Sequence, residues 1–242
     1  MSTDITPPRA FWQGVRNGGP FILIVAPFGL VFGVVAGEAG LDVWQTMAFS
    51  VAVIAGAAQL TALQLMTDQA PTLIVIITAL AVNTRMAMYS ASLTPHLGGA
   101  SVWQRAAVAY LMVDQAYAVS ILRYEQGPPL SPRAKLAFYF GVVFLICPTW
   151  YLGTLMGALV GSQIPDWVPI GAAVPIAFIA LIGPMLRTLA HVAAAFVSVV
   201  VALGLAFLPY SLGLLVAALA AMATGALVEV WTARNRPEGG AS

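Results

Sequence analysis

Residues 73–93 read LIVIITALAVNTRMAMYSASL. As a helix this stretch crosses a hydrocarbon core of about 30 Å, yet it contains a permanent cation, Arg85. A charge at mid-membrane costs about 2.5–3.5 kcal/mol even on the lenient insertion scale. An arginine at that depth needs a counter-charge and faces protein or water.

The remainder of the chain has the same character. Of 242 residues, 60% are hydrophobic and 8% charged, against about 25% charged in a soluble domain. Long apolar runs recur without the alternation of a transmembrane barrel, so the fold class is an all-α polytopic integral membrane protein. A net charge of +1 gives no reason to expect nucleic acid as a partner; the expected surroundings are the lipid bilayer. The single cysteine, Cys147, lies in an apolar run and reads as a small buried hydrophobe. The N-terminal MSTDITPPRAFWQGVRNGG lacks a cleavage site after a short apolar core and reads as a cytosolic tail.

Eight spans are predicted, at about 20–37, 44–66, 71–93, 103–122, 134–161, 168–186, 189–208 and 211–232, in one membrane domain over 1–242. With the N-terminus inside, Arg9, Arg16, Arg123, Arg133, Lys135, Arg187, Arg234 and Arg236 fall on the cytoplasmic side. Glu38, Asp42 and Asp166 fall outside, with Arg105 as the one external cation. This cationic bias predicts that both termini are cytoplasmic. Gly29, Gly33, Gly37 and Asp42 recur 124 residues later as Gly153, Gly157, Gly161 and Asp166. Glycines four apart let helices approach closely, and their recurrence predicts a parallel duplication of four plus four spans, with halves 14–122 and 134–232; an inverted repeat is the alternative if the count is off by one span.

Two full charges stand near the middle of predicted spans, Arg85 in the third and Asp114 in the fourth. Opposite signs on adjacent, antiparallel helices predict mutual compensation. Thr78, Arg85, Tyr89 and Ser92 share one helical face, as do Tyr110, Asp114 and Tyr117. Asn83 falls about 200° away from Arg85, so it meets a different helix or the helix unwinds there. Gln59 sits among small residues of the second span, and Pro20, Pro27 and Gly29 are candidates to interrupt the first. Broken helices at membrane depth line protein or a cavity. Purely structural roles stand beside these: the Arg85–Asp114 pair as a packing device, Gln59 as an interhelical hydrogen bonder, and the prolines of the sixth span (Pro169, Pro175, Pro184) as kinks. His96 and His191 are scattered, so no metal is expected. No phosphate loop, nucleophile elbow or dinucleotide fingerprint occurs, so neither an enzyme nor a cofactor is expected.

GAAQL at 56–60, the NTR and YSASLTPHL segments between 83 and 97, and VDQAYAV at 113–119 together resemble the AzlC family, the large subunits of branched-chain amino acid exporters. FGVVAGEAGL at 32–41 and WYLGTLMGALVG at 150–161 are similar to it too. Asp114-Gln115 stands here in place of an Asp-Glu pair. The resemblance implies export of valine, leucine, isoleucine and methionine across the bacterial cytoplasmic membrane. It also implies a small AzlD-like membrane subunit, with a homo-oligomer of the two-subunit unit left open. On that footing Arg85 would hold the substrate carboxylate. Asp114 would meet the ammonium or take up a proton, and Gln59, Asn83 and Tyr89 would add polar contacts. A membrane scaffold with buried polar residues, a transporter of another small zwitterionic or organic solute, and an ion channel are the competing readings.

Overall fold

The computed structural model describes residues 5–161, 186, 188–208 and 212–234, and every regular element among them is helical. In chain order these are α1 (Pro7–Gly18), a 3-10 turn (Gly19–Phe21), α2 (Ile22–Glu38), α3 (Val43–Ala52), α4 (Gly56–Thr67), α5 (Thr72–Leu97), α6 (Val102–Tyr110), α7 (Asp114–Gln126), α8 (Pro132–Gly161), α9 (Leu189–Gly204) and α10 (Leu212–Arg234). The expected sixth span with Pro169, Pro175 and Pro184 lies outside the described residues but for its last position, as does Asp166.

Among the described residues, three helical stretches are long and apolar enough to cross a membrane: Pro7–Glu38, Thr72–Leu97 and Pro132–Gly161. The 26 residues of α5 alone extend about 39 Å. The prolines expected to interrupt the first span act only in part. Pro20 sits in the 3-10 turn, whereas α2 runs on through Pro27 and Gly29.

The repeated glycines form one seam. A Cβ on Gly33 would collide with the carbonyl of Thr154, and one on Gly157 with that of Leu30. At Gly29 it would lie 2.9 Å from the Trp150 carbonyl, and at Gly153 2.8 Å from that of Ala26. Gly161 abuts Val34, while Gly37 faces open space. Below, Gly14 meets Phe138 and Gly18 meets Val142. Residue numbers rise together on both partners, so α1–α2 and α8 run parallel, as expected of the first and fifth spans. Backbone packing at this range rules out any larger side chain at Gly33 or Gly157.

The predicted second and fourth spans are each broken into two shorter helices. α3 is capped by Val53, whose backbone is extended (φ −136°, ψ 97°), and α4 begins after Ala55, which is also non-helical (φ −148°, ψ 82°). Val113, at φ −129° and ψ 158°, separates α6 from α7 in the same way. β-Branched side chains crowd the first break at Val53-Ile54, where helix propensity is weak.

The direction of each half-helix follows from its contacts. On α8, Lys135 is low and Thr154 high. His96 Nδ1 lies 3.1 Å from Lys135 Nζ, so α5 descends toward the start of α8. Tyr89 stacks on Tyr117 at 4.1 Å and His96 packs on Tyr124 at 5.2 Å. Helix α7 therefore runs parallel to α5, correcting the antiparallel expectation. α6 starts beside the end of α5, and its Tyr110 hydroxyl reaches the Val51 carbonyl at 2.7 Å. The α6–α7 pair thus enters and leaves by the same end. α3 descends to Ser50, 3.3 Å from Thr154, and α4 must climb again to join the high end of α5. Two re-entrant pairs enter from opposite ends and meet in the middle.

Residues 44–66 and 103–122, each expected as one continuous span, instead form two half-helices apiece. This moves Arg105 and His96 to the other face. Arg9, Arg16, Arg105, Arg123, Arg133 and Lys135 then gather at one end, and Glu38, Asp42 and Asp68 at the other. α9 and α10 pack against each other, with Gly225 beside Ala194.

Ala70→Cys and Gly99→Cys, labelled in intact cells with an impermeant thiol reagent, distinguish the two layouts. The re-entrant fold predicts that Ala70→Cys labels from outside and Gly99→Cys from the cytoplasm. Continuous spans require the reverse.

Candidate functional site

The two breaks enclose a cavity of about 90 Å³ at the middle of the bundle. A water needs about 10–15 Å³ of such space, so the cavity is large enough to be wet. Its polar wall is Arg85 from α5 together with Asp114 and Gln115 from the start of α7. Phe28, Ile54, Met86, Val113, Ile146 and Trp150 supply most of its apolar wall.

Arg85 Nη1 stands 2.9 Å from Asp114 Oδ2, and the two side chains are 30% and 37% exposed. This is the compensation expected from the sequence, reached through a different topology: Asp114 meets Arg85 because α7 starts there. In the first turn of α7, the carboxylate is also favoured by the positive end of the helix dipole. Arg85 Nε and Asp114 Oδ1 are buried and make no hydrogen bond among the described residues. The pair thus leaves donor and acceptor capacity unused.

Tyr89, one turn below Arg85, lies within electrostatic reach of both partners. Its ring is stacked on Tyr117, whose hydroxyl donates to Ser92 Oγ at 3.1 Å. The face Arg85–Tyr89–Ser92 is therefore real. The face Tyr110–Asp114–Tyr117 is not, because the break places Tyr110 on α6, where it also approaches the Tyr151 hydroxyl at 3.2 Å.

Gln59 and Asn83 are not on the cavity wall. Gln59 is fully buried in α4 with neither side-chain polar atom hydrogen-bonded among the described residues. Asn83 lies on another face of α5, which is continuous there, so local unwinding does not occur. His96, expected at the outer end, binds Lys135 at the cationic end.

Sequence reasoning missed the roles of Gly56 and Trp150. The Trp150 indole N–H donates to Ser50 Oγ at 2.8 Å, its ring stacks on Phe32 at 5.9 Å, and it lies 5.7 Å from Phe28. This side chain ties α2, α3 and α8 together at the roof of the cavity. Gly56 opens α4 directly beneath: a Cβ there would come within 2.6 Å of the Phe28 ring and 2.7 Å of Trp150. Ala55 provides no side-chain cap to the first turn of α4, and Ala55, Gly56 and Ala57 line the cavity. The signal in the sequence was glycine after a β-branched run.

A family model described as AzlC protein matches residues 20–164, more than half of the chain. That segment holds α2 to α8, both re-entrant pairs and the cavity. An uncharacterized membrane protein of Helicobacter pylori (strain ATCC 700392 / 26695) is 27% identical over 155 residues, covering 64% of this chain and 66% of its own. Another, from Helicobacter pylori strain J99, is 29% identical over 135 residues, covering 56% and 57%. Inner membrane protein YgaZ of Escherichia coli K12 is 24% identical over 160 residues, covering 66% and 64%. The matches span about two thirds or less of the relatives' own length. No solved structure matches.

Gly56→Ala should destabilise the fold by about 1–3 kcal/mol, as overpacking does, because two aromatic rings must move. Thermal unfolding in detergent would show the midpoint fall by several degrees. An unchanged midpoint would contradict the packing of Phe28 and Trp150 over the break.

Proposed function

The chain belongs to the AzlC family, and from that membership we propose that it is a secondary transporter exporting branched-chain amino acids. The observation that carries this reading is an ion pair with unused valences facing an apolar cavity between two broken helices. A branched-chain amino acid has the complementary form: one carboxylate, one ammonium and a compact apolar side chain.

In the empty state Arg85 and Asp114 neutralise each other, which limits the desolvation of both. A substrate carboxylate replaces Asp114 at Arg85, whose planar fork suits it, and the amides at the start of α4 add a second favourable contact. The released Asp114 receives the ammonium or takes up a proton. This links export to proton movement. Ile54, Val113, Ile146 and Phe28 hold the branched side chain. No catalytic chemistry is assigned.

By the positive-inside rule, the end bearing Arg9, Arg16, Arg105, Arg123, Arg133 and Lys135 is cytoplasmic. Arg234, at the end of α10, would put the C-terminal side there as well. The membrane is the bacterial cytoplasmic membrane, consistent with the name of the Escherichia coli relative. A small AzlD-like subunit is the expected partner. The scaffold reading differs in one respect: it needs the pair only for packing.

Efflux of labelled leucine from loaded vesicles, with the small subunit co-produced, tests the proposal. Arg85→Gln and Asp114→Asn should each lower efflux at least tenfold at near-normal membrane abundance, and Arg85→Lys should impair transport more than folding. The double variant should stay inactive. Recovery of full efflux in the double variant would make the pair structural and leave the scaffold reading standing.

A further inference from the structure

The two re-entrant pairs open with the same words. Asp42-Val43-Trp44-Gln45 begins α3, and Ser101-Val102-Trp103-Gln104 begins α6, 59 residues later. Both form reciprocal capping boxes. The Gln45 amide donates to Asp42 Oδ1 at 2.8 Å and the Asp42 amide to Gln45 Oε1 at 3.0 Å. The Gln104 amide donates to Ser101 Oγ at 3.4 Å and the Ser101 amide to Gln104 Oε1 at 3.0 Å.

The same offset carries Val51 onto Tyr110, the two residues joined by the 2.7 Å hydrogen bond at the breaks. It also carries Ile54, Ala55 and Gly56 onto Val113, Asp114 and Gln115, all of which line the cavity. A contact between equivalent residues lies on a pseudo-two-fold axis. Because α3 and α6 enter from opposite ends, that axis lies in the membrane plane, the arrangement of an inverted repeat.

Trp44 and Trp103 are equivalent under this axis and share an unusual exposure, 84% and 85%. From Trp44 to Ala52 is about 12 Å of helix, and from Trp103 to Tyr110 about 10 Å. With the breaks at the midplane, each indole lies just inside the boundary of a core about 15 Å thick on either side. There an indole satisfies its apolar body and its N–H together. A partner subunit would have no reason to meet the same register on both faces. A bilayer, which is itself symmetric, does.

We propose that Trp44 and Trp103 are matched anchors in the headgroup–acyl boundary of opposite leaflets, and that they fix the depth of the two breaks. The inference rests on the topology and stands apart from the identity of the substrate.

Trp44→Cys and Trp103→Cys, each labelled with an NBD maleimide in the full-length chain, are reconstituted in vesicles of defined orientation. Cys147 is buried and stays unlabelled. Dithionite added outside should bleach one label at once and the other only after the membrane is permeabilised, with both emitting between the water and hydrocarbon limits. Should either variant fail to reach the membrane, the exposed positions Ala48→Cys and Ala106→Cys report the same leaflets with both tryptophans in place. Bleaching of both labels from one side overturns the proposal. So does protection of either after permeabilisation, which would mean a protein covers it, or a hydrocarbon-like emission from the tryptophan positions.

Discussion

A backbone can leave the helix at the middle of a bilayer only where protein or water takes up its hydrogen-bonding groups. Among the described residues the chain does this twice, at Val53–Ala55 and at Leu111–Val113, and the surrounding structure accommodates both interruptions. The glycine seam between α2 and α8 brings two long helices close enough for Trp150 to reach Ser50 and roof the first break. The second break is held to the first through Tyr110 and Val51. Between them lies the only position at which Arg85 and Asp114 meet in the described residues.

The same constraint explains how charge is distributed. A cation and an anion within the apolar region stabilise each other at 2.9 Å. A continuous fourth helix would have set Asp114 in mid-helix, with its backbone amide committed. Opening a new helix at Asp114 gives the carboxylate a second source of stabilisation in the helix dipole. That arrangement supports the Asp114 carboxylate from two directions, the Arg85 guanidinium and the start of α7.

Much of this was legible in the sequence, and the part that was not has a definite cause. Hydropathy found every apolar segment up to Gly161, and the scarcity of charge singled out Arg85 and Asp114 as partners. Hydropathy cannot tell a helix that crosses from two half-helices that turn back, since both present about twenty apolar residues. The 12 residues of α4 and the 13 of α7 are too short to span alone. The recurring glycines at an offset of 124 marked a real contact, but drew attention from the shorter Val-Trp-Gln recurrence at 59. Arg105, the one external cation of the eight-span layout, joins the other cations once residues 103–122 turn back on themselves. Gln59 looked like a ligand because it is polar among small residues, and only the three-dimensional placement shows it away from the cavity.

The central claim is that Arg85 reads a carboxylate and Asp114 an ammonium in the cavity between the breaks. Competition against labelled leucine, using leucinamide and 4-methylpentanoate, separates these two contacts. The account predicts that the wild type rejects both analogues. Arg85→Gln should lose its discrimination against leucinamide, and Asp114→Asn its discrimination against 4-methylpentanoate. Unchanged discrimination in either variant, at measurable leucine binding, would contradict the account.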